Sequence, residues 1–206
     1  MKIAFLSSGH ARNAHELIEN TKNKLFSNIN PDIYFYSYKD TDLNILKKSI
    51  NFYYLYEINQ DDDLKIDELF FKNKHPEVKV GNTFKMLKNK YNVFNLIKND
   101  YDLYIYGRFD VNYINSLDIK VFKEIDENTI FIPRGGDHRE GINDIFSVGK
   151  KTSMFKYCNV FNYLNEYVPK ECLFHPELLL KTHLNKQKVN IKRFDFSINI
   201  RGQKYC

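Results

Sequence analysis

Three short runs in this chain carry residues whose types and spacing suit chemistry on an anion. Arg108 and Asp110 stand two apart at the end of an apolar run, so on an extended backbone their side chains point the same way. A carboxylate there suits Mg²⁺ or Mn²⁺ bridging a diphosphate, and the arginine suits phosphate oxygens or the carboxylate itself. For Arg-x-Asp on its own, a structural ion pair is the simpler reading. Ser8-Gly9-His10-Ala11-Arg12 follows the first apolar run. Arg12 is expected in the first turn of a helix, where a cation opposes the helix dipole. That position makes sense if Arg12 and free backbone N–H groups hold an anion together, with Gly9 letting the backbone approach it. A surface arginine after an ordinary turn is the competing reading.

The third run, Asp137-His138-Arg139-Glu140-Gly141-Ile142-Asn143-Asp144, packs ionisable groups into a glycine-bearing loop between two expected strands. Asp144 is expected to enter the second strand and so to be held most rigidly, which makes it the best placed general base. Asp137 and Glu140 are expected to be solvated or to touch a substrate. His183 has Leu179, Leu180 and Leu184 around it and reads as a core histidine. Glu177 suits the start of a helix.

These residues need a scaffold. Residues 2–7, 32–38, 52–58, 102–107, 129–132 and 145–148 read as strands, and 189–200 as extended chain. Helical patterns follow Ser8-Gly9-His10, surround Leu43, Ile45 and Leu46, and fill 151–166. Asn82 is expected to cap a helix with Phe84, Leu87, Tyr91 and Phe94 on one face, and His175-Pro176-Glu177 opens another. Asp61-Asp62-Asp63 reads as an exposed loop, and 59–80 is the least regular stretch. Strands alternating with helices imply a mainly parallel α/β sheet, with ligands at the carboxyl ends of its strands.

The chain has 206 residues and a formal charge of +5. Seven cations stand against Asp195 alone in residues 181–206, a local charge of +6, so the first 180 residues carry −1. That segment suits an anionic ligand or a membrane surface, or is simply a solvated basic edge. Three cysteines without a CxxC pair indicate neither a disulfide framework nor a zinc knuckle. No run approaches the length of a membrane span or a signal peptide. The expectation is an intracellular, soluble, single domain.

Taken in order, SGHAR, Asn82-Thr83-Phe84-Lys85, YDLYIYGRFDV, FIPRGGDHREGINDIFSVG and FHPELLLKTHL resemble a group of small glycosyltransferases. These occur in capsule and lipopolysaccharide gene clusters and in large DNA viruses. The resemblance runs from residue 2 to about residue 201. It implies a GT-A type fold over 1–206, with a Rossmann-like nucleotide-sugar half (1–110) and an acceptor half (111–206). It also implies a nucleoside-diphosphate sugar as donor (a UDP-sugar favoured), hexosyl or deoxyhexosyl transfer to a hydroxyl of a glycan or glycoprotein acceptor, and a divalent cation, Mn²⁺ or Mg²⁺.

By position, the resemblance places Ser8, Gly9, Arg12, Asn82, Lys85, Arg108 and Asp110 at the donor. Asp110 matches the last carboxylate of the usual Asp-x-Asp and would ligate the metal. Asp144 matches the base of inverting members, and His183 a late histidine at the metal or diphosphate. Asp137, His138 and Arg139 would meet the acceptor. One departure is visible: Arg108 stands where the first Asp is usual. A cytoplasmic site is implied, in a bacterium or in the host of a virus, with peripheral membrane contact through the basic segment if the acceptor is lipid-linked. Two rivals remain: a catalytically silent nucleotide-sugar-binding relative, and a nucleic-acid binder using 181–206 and the tyrosines. The second leaves the 137–144 loop unexplained and ranks low.

Overall fold

Continuous apolar runs make the strands at the centre of the molecule, because a strand covered on both faces needs no alternation. A computed structural model describes residues 1–59, 66–168, 170–200 and 203–205; Asp61, Asp62 and Asp63 lie outside them. The central sheet holds β1 (Ile3–Gly9), β2 (Asp32–Tyr38), β3 (Tyr54–Ile58), β4 (Leu103–Tyr106), β6 (Thr129–Pro133), β7 (Ser147–Gly149) and β8 (Asn190–Phe194). Its order is β3-β2-β1-β4-β7-β6-β8, parallel throughout except for β7, which runs antiparallel to both neighbours. A second, antiparallel sheet joins β5 (Asn112–Tyr113), β9 (Ile198–Ile200) and β10 (Gln203–Tyr205).

The sheet separates two cores. On one face Ala4, Leu6, Tyr34, Tyr104 and Tyr106 pack with α4 (Val80–Asn95), α5 (Lys151–Cys158) and α7 (Pro176–Lys186). On the other, Ile3, Phe5, Phe35, Leu103 and Ile105 pack with α1 (Ala14–Thr21), α2 (Thr41–Ser49) and residues of the second sheet. Phe5 is fully buried there, within 5.0 Å of the Phe26 ring and 5.6 Å of Phe109. Burial of such a ring contributes roughly 2–3 kcal/mol. Single turns of α3 (Glu68–Lys72) and α6 (Leu164–Tyr167) complete the helices. The α/β class, the mainly parallel sheet flanked by helices and the single domain agree with the sequence reading.

Several boundaries differ, each for a physical reason. The fourth helix begins three residues earlier than expected: Val80 is buried, which draws the chain into helix before Asn82, and Lys79 is the cap residue without a side-chain bond. Helix α1 starts at Ala14, after Asn13 in the left-handed region, so Arg12 precedes the helix rather than lying in its first turn. A π-turn (Lys22–Phe26) follows α1 and adjusts the register that brings Leu25 into the core. The 151–166 pattern is broken by a 3₁₀ turn (Asn159–Tyr163) between α5 and α6. Residues 189–200 divide between two sheets as β8 and β9. Among the described residues, no helix is long and apolar enough to cross a membrane.

Candidate functional site

Chain order sets the site. From β1 the chain builds β2 and β3 on one side, then returns to add β4 on the other. Open α/β sheets bind ligands outside the carboxyl ends of the strands at such a switch point. Here the exits of β1 and β4 open into a cleft of about 200 Å³. Its walls include Ser8 and Gly9 at the end of β1, Arg12 beyond it, Asn82 and Lys85 on α4, Arg108 and Asp110 after β4, and Asp144 before β7. Asp144 reaches this rim because β7 is antiparallel: its entry, not its exit, lies beside the exit of β4. All eight of these residues come from the sequence reading.

The β1 wall is held by side chains. Tyr106 and Ser8 hydroxyls lie 3.1 Å apart, and Ser37 Oγ donates to the Gly9 carbonyl at 3.0 Å. Gly9 has φ +108, and nothing lies within 4 Å of an added Cβ, so the backbone angle rather than crowding calls for glycine. His10 stacks on Tyr38 at 4.3 Å and lies 3.4 Å from Asp40. The backbone N–H groups expected to join Arg12 at an anion are partly used: Asn13 N–H donates to Asp42 and Ala14 N–H to the Ala11 carbonyl. Arg12 is exposed and Lys85 half-buried, and neither side chain has an ion-pair or hydrogen-bond partner among the described residues.

The other two cations of the cleft are paired. Arg108 Nε donates to Asp110 Oδ1 and Nη2 to Oδ2, both at 2.7 Å. Lys90 is 2% exposed; its amine donates to the Asp144 carbonyl, lies 3.5 Å from Asp144 Oδ2, and sits over the rings of Tyr106 and Tyr157. Burial pushes its pKa down, with the Asp144 carboxylate acting the other way. Four cationic side chains thus face two carboxylates, leaving two positive charges over the cleft.

Lys90, Tyr38, Met86, Asn89 and Tyr106 were not singled out from the sequence. Lys90 had a signal: it falls three residues after Leu87 and four before Phe94, on the core face of an amphipathic helix. A lysine at a core position is rarely there without a partner.

The remaining sequence candidates lie elsewhere. The Asp137 carboxylate is exposed and accepts from Arg193 and from the Asn143 N–H, so it holds its loop to β8. His138 donates its backbone N–H to Glu177, and Arg139 pairs with Glu77 at 2.7 Å. None of the three lines the cleft. Glu177 does more than favour the start of its helix: it is buried, and burial, with Asp144 and Asp137 adding to it, pushes its pKa up to about 8. Buried Asn143 staples the loop through Gly135 and Ile145, and Asp144 sits in the loop ahead of β7 rather than in the strand. His183 is 1% exposed beside Tyr163 and Tyr167, with Nδ1 2.8 Å from the Tyr167 hydroxyl; burial pushes its pKa down to about 4. It does not meet Asp110 in the cleft, and is the core histidine that its leucine neighbours suggest.

Among the described residues, most cations of the basic segment meet internal partners. Arg193 grips Asp137, Lys186 pairs with Glu171 at 2.9 Å, and Lys181 donates to the Glu140 carbonyl. Lys192 lies over the Phe131 ring.

No known family model matches the chain, and no curated protein does. The fold and site are those of an α/β protein with an open, mostly parallel seven-stranded sheet and a cationic cleft at its switch point.

Proposed function

We propose that this chain is a glycosyltransferase of GT-A type that moves a sugar from a nucleoside-diphosphate donor, a UDP-sugar by preference, to a hydroxyl of a glycan. One observation carries the reading. Arg12 and Lys85 both line a cleft at the sheet's switch point without partners among the described residues, and the cleft holds two positive charges in excess. A diphosphate matches that excess in charge. The sugar resemblance of the SGHAR, RFD and ND motifs then selects a nucleotide sugar among diphosphate ligands.

In this reading the bond from the anomeric carbon to the diphosphate oxygen breaks, and its electron pair leaves with the diphosphate. Fixed cations lower the barrier because they face charge that grows in the transition state. The acceptor hydroxyl oxygen forms the new bond to the anomeric carbon. Its proton passes to Asp144, which is the role of this carboxylate in an inverting transfer. Lys90 holds that carboxylate from behind without reaching for the ligand, since its amine is turned to Asp144 and the two rings.

Thermal unfolding with UDP, GDP, CDP and TDP tests the reading. One of them should raise Tm, and Arg12→Ala or Lys85→Ala should each weaken its binding about tenfold, some 1.4 kcal/mol. Failure of all four nucleotides to bind would overturn it.

A further inference from the structure

The usual Asp-x-Asp of GT-A enzymes holds a divalent cation, and the chemistry of the donor set decides whether this chain does so. Mg²⁺ and Mn²⁺ are hard ions that gather oxygen ligands. The cleft offers two carboxylates, and each already has a cation of the chain. Lys90 holds Asp144. Both oxygens of Asp110 accept from Arg108 at 2.7 Å, in the two-pronged geometry that suits guanidinium to carboxylate. A metal ion on Asp110 would have to displace a guanidinium of its own sign. The residues present do not fit the ion.

The Arg108 loop is also built to stay. Arg108 N–H donates to the Tyr113 hydroxyl at 3.1 Å, and that hydroxyl donates to the Arg108 carbonyl at 2.7 Å. Tyr113 is fully buried and exchanges two bonds with Asn20, at 2.8 and 2.9 Å. A Cβ at Gly107 would lie 2.8 Å from the Phe5 ring and 3.0 Å from the Tyr113 hydroxyl, so the loop lies flat against the sheet.

We propose that Arg108, aimed and held by Asp110, takes the place of the divalent cation, so that the donor diphosphate is bound without metal by Arg108, Arg12 and Lys85. The inference rests on the nucleotide-sugar reading for its ligand, but not for its first test. That test uses Mn²⁺ alone, followed by electron paramagnetic resonance with protein in excess. The wild type should leave the signal of free Mn²⁺ unchanged, whereas Arg108→Asp, which rebuilds Asp-x-Asp, should diminish it. Mn²⁺ binding by the wild type as tight as that of Arg108→Asp would overturn the proposal. If Arg108→Asp lacks the circular dichroism of the wild type, Arg108→Gln replaces it: the freed Asp110 should make its nucleotide binding weak in EDTA and stronger in Mn²⁺.

The second test is calorimetry of the nucleoside diphosphate that stabilises the protein, in EDTA and in Mn²⁺. The dissociation constant should agree within about twofold. A loss of about tenfold or more in EDTA would overturn the proposal. Should no nucleotide bind in either buffer, the functional reading fails, and the Mn²⁺ experiment still decides whether Asp110 is a metal ligand.

Discussion

The Lys90 amine lies 4.8 Å above the Tyr106 ring and 4.9 Å above that of Tyr157, and it donates to the main-chain carbonyl of Asp144 and, at 3.5 Å, to its Oδ2. This is a buried cation with a single carboxylate beside it, and the side chains are 3% and 12% exposed. Removing one member of such a pair leaves the other charge uncompensated, at a typical cost of roughly 3 kcal/mol. Lys90→Met should therefore lower stability by about that amount in urea unfolding. Nucleotide affinity should stay within about twofold, because the amine faces Asp144 rather than the ligand. A large loss of affinity with little loss of stability would show that Lys90 binds ligand directly.

Asp144 has the complementary prediction. Asp144→Asn keeps the shape and an acceptor for Lys90, but removes the group that takes the acceptor proton. Turnover should fall by about 10²–10⁴, the usual worth of a general base, with nucleotide binding retained. The anomeric configuration of the product, read by NMR, checks the same role: inversion requires the base, and a retained configuration would leave Asp144 without it.

How much of this was legible in the sequence depended on which force placed each residue. The strands came from continuous apolar runs, so Ile3–Gly9 and Asp32–Tyr38 lie close to where the residues put them. Arg12, Arg108 and Asp110 were legible because strand exits in an α/β sheet converge by topology alone. The loop residues were not. Nothing local to Asp137 reveals that Arg193, 56 positions away, comes to meet it through the pairing of β6 with β8. Arg12 lies two residues ahead of α1 rather than in its first turn because Asn13 adopts a left-handed backbone that a helical pattern does not announce. Lys90 is legible in principle from its position on α4, but the adjacent Tyr91 fits an apolar helical face by composition and masks it.

The loop before Asp144 depends on a close approach. A Cβ at Gly141 would lie 2.5 Å from Glu177 Cβ and 2.6 Å from the Glu177 carbonyl carbon. These are atoms of the first turn of α7 and cannot rotate aside. Gly141→Ala should cost roughly 1–3 kcal/mol in urea unfolding, as forced overpacking does. It should also lower turnover by shifting the chain three residues ahead of Asp144. An alanine variant as stable and active as the wild type would show that the loop yields easily.

Glu177 links the same contact to pH. Its carboxyl is buried and pushed up to about 8, against an ordinary value of 4.5, while its side chain accepts from the His138 N–H. Between those values the folded protein keeps a proton that the unfolded chain releases. The unfolded state then binds fewer protons, so this group makes stability fall as pH rises from about 4.5 to about 8, and level off above. His183, pushed down to about 4, has the opposite sign and loses stability as pH drops from 6.5 toward 4. The two can be separated by difference. Glu177→Gln keeps an acceptor for the His138 N–H and cannot ionise. Its stability relative to the wild type, from urea unfolding at several pH values, should increase steadily from about pH 5 to about pH 8 and then flatten. A difference independent of pH would mean that Glu177 ionises alike in the folded and unfolded chain, and that the contact between α7 and the loop before Asp144 carries no proton.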